Sequence, residues 1–332
     1  MHAAGLAGAS KALADPGTAP TRVASECGTA SKLRRMAEKL QRLAKPQLKH
    51  SFPSYALFRL VCRAGLSQIR PAIAKDSLAD AWGWNYGSAS PPSYWAYGRL
   101  RALLTLNVAQ TLSSARVFEI AAGDGALSAC LQRDGSEVTV NDLRAEALRS
   151  SVLNFSNADR IKIAPGNVFD MDPACLGTFD LVIACELIEH VADSFALLSK
   201  LKSFLAPNGR ILVTTPNGAY FRNKLPTFSQ VRDREGLRDR QFKPDADGHL
   251  FLFTPEELES AAEQTGLTVE SSLVWGTPFI SGESGLRLLG RVLPSWLCFG
   301  LELFSSYLPY PVRRFVGNSL LFVLRSREFE SS

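Results

Sequence analysis

The chain has no Cys-x-x-Cys pair among its six cysteines (27, 62, 130, 175, 185 and 298). Scattered as they are, they read as free thiols in a reducing compartment such as the cytoplasm. No uninterrupted apolar run reaches the roughly 18–20 residues needed to cross a bilayer. The first fifteen residues lack the continuous apolar core of a secretory signal. Histidine is scarce too: there are four in 332 residues, at 2, 50, 190 and 249. The net charge of +5 is missing from the body of the chain. Residues 1–50 hold nine Lys or Arg against three acids, which leaves 28 basic against 29 acidic residues elsewhere. A neutral body without an RNA-binding module argues against nucleic acid as a partner. Gly-x-Gly-x-x-Gly is absent as well, which disfavours a dinucleotide-binding fold.

What is present centres on Arg116–Gly125, RVFEIAAGDG, followed by the helical stretch ALSACLQRDG. Val117, Phe118 and Ile120 suit a buried parallel strand. Gly123 and Gly125 then break the chain before an amphipathic helix. A strand that runs through a small-residue turn into a helix N-terminus brings backbone N–H groups close to a ligand. The next strand, EVTVND at 137–142, ends in Asp142, placed to accept from both hydroxyls of a ribose. RIKIAPGN (160–167) reads as a third strand and turn, FDLVIAC (179–185) as the fourth, and RILVTTP (210–216) as the fifth after a stop at Pro207-Asn208-Gly209. Helices are expected over 145–154 and 194–205. Thr254-Pro255-Glu256-Glu257 reads as a capped helix start. Strands at about 267–275 and 319–326 close the pattern. Strands alternating with helices imply a mostly parallel sheet covered on both faces.

Outside this body, residues 1–31 are Ala-, Gly-, Ser- and Thr-rich without periodicity and read as a disordered leader. Residues 32–98 read as an N-terminal helical and aromatic extension. Its KLRRMAEKLQRLA stretch suits either a helix packed on the body or one lying on an anionic membrane. Trp82, Trp84, Tyr86, Tyr94, Trp95 and Tyr97 suit either substrate stacking or structural glue. The catalytic domain is drawn at 99–332. Its apolar insertion at about 279–317 is flanked by Arg287, Arg291, Arg313 and Arg314, and suits a lid, an interfacial patch, core packing or a dimer contact. The sequence leaves the oligomeric state open.

The order Glu119-x-Ala121-x-Gly123-x-Gly125 followed by Asp142 resembles the first motifs of class I S-adenosylmethionine-dependent methyltransferases, with alanine in place of the first glycine. The resemblance implies a Rossmann-like seven-stranded sheet and S-adenosylmethionine as cofactor. The implied cofactor residues are Glu119, Ala121, Gly123, Gly125, Asp142, Asn167, Val168 and Cys185. Asn167 stands where family members often carry an adenine-binding acid.

Methyl transfer also requires a nucleophile of raised electron density, and this points to CELIEHV, residues 185–191. If 186–190 forms one helical turn, Glu186, Glu189 and His190 share a face. His249, in DGHLFLFTPEEL, is the second histidine of the body. Two carboxylates and two imidazoles at one point would make a divalent-metal site, for magnesium, manganese or zinc. The alternatives are His190 as a metal-free general base beside Glu189, or a structural role.

The run CELIEHV…LAPNGRILVTTPN…GHLFLFTPEEL resembles the ubiquinone-biosynthesis O-methyltransferases. It also resembles the small-RNA 3′-end 2′-O-methyltransferases, which hold a metal with two Glu and two His. Carried over by position, that implies Glu186, Glu189, His190 and His249 as ligands. The expected reaction is O-methylation of a small or lipid-linked acceptor such as a phenol, quinone precursor or sugar. The alternatives are RNA 2′-O-methylation and a non-catalytic cofactor-binding scaffold. Peripheral membrane contact is an expectation of the same kind.

Overall fold

The apolar runs become strands β1 (Arg116–Ile120), β2 (Glu137–Val140), β3 (Lys162–Ile163), β4 (Phe179–Cys185), β5 (Leu205–Pro216), β6 (Leu267–Trp275) and β7 (Ser319–Ser326). The structure, a computed structural model, describes residues 92–327 apart from 124, 134, 146–160, 242–247 and 282–291, together with Arg59. The strands form one sheet in the order β3-β2-β1-β4-β5-β7-β6. β7 alone among them runs antiparallel to its neighbours, β5 and β6. The expected α/β class and the mostly parallel seven-stranded sheet are what the chain adopts.

Alternation along β4 divides the core. Leu181 and Ile183 face one layer with Val117, Leu212 and Phe299. Val182 and Ala184 face the other with Phe118, Ile211 and Val213. Both faces are covered, which is why the central strands read as continuous apolar runs rather than alternating ones. On the first face lie α1 (Pro92–Thr111) and α2 (Ala126–Arg133), and a short α3 (Pro173–Leu176) precedes β4. On the second lie α4 (Ser194–Ser203) and α5 (Pro255–Gln264). α5 starts as its sequence demands: Thr254 Oγ1 accepts from Glu257 N–H, and the Glu257 carboxylate accepts from Thr254 N–H at 2.8 Å.

Several boundaries differ from the sequence reading. α1 runs without a break through the domain boundary drawn at residues 98–99. β5 starts at Leu205, and the expected stop at Pro207-Asn208-Gly209 is an irregularity inside it. Asn208 sits there at φ +62°, so the strand buckles without ending. β2 ends at Val140, two residues short of Asp142. The leader, the basic helix, the aromatics at 82–86 and the helix expected at 145–154 lie outside the described residues.

The described residues between β6 and β7 form α6 (Pro278–Ser281), α7 (Ser295–Ser305) and α8 (Tyr310–Val316). α7 is fastened through a buried acid. Glu302 accepts from the N–H groups of Gly276 and Thr277, each at 2.8 Å, and from Thr277 Oγ1 at 2.6 Å. Burial pushes its carboxyl up, and those hydrogen bonds oppose the shift. Asn217, just past β5, donates its amide to the Arg314 and Gly317 carbonyls and so holds the end of α8. Tyr97 of α1 stacks on Trp275 at 5.1 Å and shares a 2.7 Å hydrogen bond with Ser319. For this aromatic, of the set singled out in the sequence, the structural role is the one observed.

Candidate active site

β1 lies between β2 and β4, so the loops leaving β1 and β2 diverge from its carboxyl end and open a crevice. The β1 loop is built from left-handed residues: Ala121 at φ +54°, Gly123 at +57° and Gly125 at +70°. Every second position of the motif needs this conformation. Glycine adopts it freely, whereas alanine at 121 does so at a cost of roughly 1–2 kcal/mol.

Glu119 does not reach into the crevice. Its buried carboxylate accepts from the backbone N–H of Ser128 at 3.1 Å and from the Ser128 hydroxyl, which ties β1 to α2 behind the loop. Asp142 holds the loop from the front. Its two carboxylate oxygens accept from Gly123 N–H at 3.1 Å and Arg144 N–H at 3.0 Å.

A cavity of about 640 Å³ opens beside this acid, lined by Ala121, Asp142, Asn167, Val168, Glu186 and His190 among others. Asn167 Oδ1 caps the turn after β3 by accepting from Phe169 N–H at 3.2 Å. Asn141, which the sequence reading passed over, supports that turn by donating its amide to the Ala164 and Gly166 carbonyls, both at 2.8 Å. Cys185 ends β4. Burial, with the nearby Glu119 charge, pushes its thiol up to about 12, so it stays protonated.

Beyond β4 the chain turns sharply. Glu186 has φ +50°, a strained conformation for a residue with a side chain. The helical turn expected over 186–190 is a tight turn over Ile188–His190 alone. The two glutamates are therefore separated. Glu186 accepts from Arg101 at 3.2 Å and from the Thr214 hydroxyl at 2.9 Å, so both oxygens are engaged. Arg101 comes from α1, and nothing in its local sequence marks it.

Glu189 is fully buried. Thr215 Oγ1 donates to its Oε2 at 2.9 Å, and Oε1 is left without a hydrogen bond. That orphaned oxygen faces His190 Nε2 at 4.0 Å and His249 Nε2 at 3.8 Å. His249 is delivered by the backbone: Leu250 N–H donates to the Glu189 carbonyl at 2.9 Å. The two imidazoles meet edge to face, 4.8 Å between centroids. Glu189, His190 and His249 each bring one donor atom within 4.8 Å of the others. Glu186 is not in that group.

The profile of a family described as "Methyltransferase domain" matches residues 93–272, more than half of the chain. This chain belongs to that family. It is an S-adenosylmethionine-dependent methyltransferase. A ubiquinone biosynthesis O-methyltransferase of Xanthomonas euvesicatoria pv. vesicatoria is 30% identical over 228 residues, covering 68% of this chain and 91% of the relative. Its counterpart from Xanthomonas axonopodis pv. citri is 31% identical over 192 residues, 57% of this chain and 77% of the relative. Among solved structures, the CcbJ methyltransferase of Streptomyces caelestis is 16% identical, covers 76% of this chain and 97% of that one, and superposes with a TM-score of 0.44.

The methyltransferase fits its cofactor on the geometry of the crevice. The cavity lies within the roughly 300–1,000 Å³ of small-molecule sites. The half-buried Asp142 carboxylate stands at its edge, beside the left-handed turn at Ala121. A divalent cation also fits the donor chemistry. A buried, orphaned carboxylate oxygen facing two imidazoles is the arrangement that an oxygen- and nitrogen-binding ion satisfies. Burial, with the Glu186 charge, pushes the Glu189 carboxyl well up, so a cation there would restore its charge.

Proposed function

We propose that this methyltransferase methylates a hydroxyl of a small or lipid-linked hydrophobic acceptor, such as a phenol, a quinone precursor or a sugar. In this reading Glu189, His190 and His249 hold a divalent cation, and Glu186 supports the cavity wall instead of serving as a fourth ligand. The observation that carries it is the orphaned Glu189 Oε1 between two imidazole nitrogens. O-methylation is supported by the names of the two Xanthomonas relatives, both ubiquinone biosynthesis O-methyltransferases. An apolar acceptor is supported by Leu143, Phe169, Leu187 and Val191 along the cavity.

S-adenosylmethionine supplies a methyl group already activated as a sulfonium. The protein must align the acceptor oxygen with it and ease the loss of the hydroxyl proton. Asp142 and the 121–125 loop fix the nucleoside end. Asn167 lines the cavity with its carbonyl oxygen used in the turn, so its amide NH2 would be the group to donate to the base of a bound cofactor. Thr215 orients Glu189 so that Oε1 points inward. An ion held there would act as a Lewis acid that lowers the pKa of the acceptor hydroxyl.

The free thiols at 175, 185 and 298 support the cytoplasm as the compartment. The neutral body supports a small-molecule over an RNA acceptor.

The test is calorimetric titration with S-adenosylhomocysteine, together with elemental analysis, on wild type and His249→Ala. The expected result is one divalent ion in wild type, its loss in the variant, and product binding within about twofold of wild type in both. An ion absent from both proteins would overturn the metal reading and assign proton removal to His190 Nε2. His190→Ala would then abolish turnover while His249→Ala retained it. Turnover that vanishes after nuclease treatment of the acceptor would overturn the small-molecule reading.

A further inference from the structure

α7 has its polarity inside out. The sequence SWLCFGLELFS contains one charged residue, and that residue, Glu302, is fully buried against the turn after β6. Cys298 and Phe299 share the buried side. The outward side carries Trp296, 55% exposed, and Phe304, 69% exposed, eight residues apart and so on one face, with Tyr307 following at 57%. A helix covering a soluble core places its charges outward and its apolar residues inward. Here both sides are apolar and the exposed one carries no charge.

α8 continues the surface. Val312 is 45% and Phe315 57% exposed. Phe315 stacks on Phe221 at 6.3 Å, and Phe221 N–H donates to the Phe315 carbonyl at 2.9 Å. The segment after β5 is thereby fastened beside α8, and it brings exposed Arg222 and Lys224 with it. Arg313 and Arg314 add two cations on α8 itself, and Arg59 lies over the Tyr307 ring at 3.9 Å. Across residues 292–317 the sole acid is the buried Glu302. Glu256, paired with Arg314 at 2.8 Å, and Glu259 border the Tyr310 margin alone. Exposed aromatics within a basic margin are complementary to a bilayer whose surface is anionic and whose interior is apolar. A second copy of this chain on the same face would bring the cations of the two copies together, which opposes pairing.

The topology places this surface. β5 and β6 are parallel to β1 and β4, so the segments leaving their carboxyl ends emerge at the edge of the sheet where the cavity opens.

We propose that the outer face of α7 and α8, with the Phe221–Leu225 segment, is a docking surface for an anionic lipid bilayer. It presents the cavity edge to the membrane, and no helix among the described residues is long and apolar enough to cross. The docking holds whether or not the acceptor is lipid-linked, and it is measured without turnover.

The experiment is co-sedimentation of the full chain with vesicles of phosphatidylcholine alone, or with roughly one-third phosphatidylglycerol. Wild type should sediment with the anionic vesicles, with partitioning that falls as salt rises. Trp296→Ser with Phe304→Ser should lower that partitioning about tenfold or more, since each removes an aromatic from the apolar phase. Arg222→Gln with Lys224→Gln should erase much of the preference for anionic over neutral vesicles. Both pairs should bind S-adenosylhomocysteine and melt as wild type does, which separates lost docking from lost folding. Equal partitioning of wild type and the aromatic pair would overturn the proposal. So would a lipid-free dimer that the aromatic pair dissociates, because it would assign the face to a second copy of the chain.

Discussion

Ala121 shows how one residue can satisfy a motif against its own preference. At φ +54° it occupies a left-handed position that costs alanine roughly 1–2 kcal/mol, while glycine there would lose about 0.5–1 kcal/mol of backbone entropy. Ala121→Gly should therefore leave stability unchanged or raise it by up to about 1 kcal/mol in urea unfolding. Gly123→Ala should lower it by about 1–2 kcal/mol. Beyond its own chain neighbours, the added methyl meets nothing within 4 Å, so conformation carries that cost.

Asp142 makes a second residue-scale case. Asp142→Ala should weaken S-adenosylhomocysteine binding by roughly 100-fold, at about 1.5–3 kcal/mol for hydrogen bonds to a charged acceptor. Thermal melting should scarcely move. Cys185, with its thiol raised to about 12, should resist alkylation at about pH 8, while the exposed Cys175 reacts. Peptide mapping by mass spectrometry distinguishes the two.

The candidate-site residues legible in the sequence were those set by local order. The glycine turn, Asp142 and the Glu189-His190 pair are fixed by what stands beside them in the chain. His249 became legible through resemblance. Arg101, Asn141 and Thr215 were invisible, because each acts through contacts between separate segments. The turn expected over 186–190 assumed regular helix, whereas the chain turns left-handed at Glu186 and only Ile188–His190 form a tight turn.

At the scale of elements, the caps and anchors decide where each piece sits. Burial would raise the Glu257 carboxyl, but hydrogen bonds from Ser229 and Thr254 outweigh it and hold it low. A depressed carboxylate stabilises the fold above its unfolded pKa of about 4.3, and that contribution disappears as pH falls through the folded value. Glu257→Gln should cost under about 1 kcal/mol at neutral pH, given the partial exposure of the site, and the difference from wild type should shrink on acidification. Urea titrations at neutral and acid pH test this.

Glu302 is a stronger anchor. Glu302→Ala leaves the Gly276 and Thr277 N–H groups without their acceptor and should cost roughly 2–4 kcal/mol. The element pattern was largely readable, because β4 and β7 contain continuous apolar runs and α5 carries its own cap. Pro207-Asn208-Gly209 misled because it is a turn sequence. Pairing with β4 on one side of the irregularity and again beyond it carries the strand through.

For the whole molecule, order along the chain and order in space disagree. β7 is the last strand made, yet it lies between β5 and β6, with seven paired positions on one side and eight on the other. During synthesis, therefore, β5 and β6 cannot be joined until residues 319–326 have left the ribosome. Until then each exposes an unmatched hydrogen-bonding edge, a template for pairing with other chains. A nascent chain stalled before Ser319 should depend on chaperones or aggregate, whereas one released just beyond Ser326 should become protease-resistant in a single step. The joining of β6 to the rest of the sheet thus waits on one late stretch of chain, and a truncation within residues 319–326 costs two strand pairings and not one.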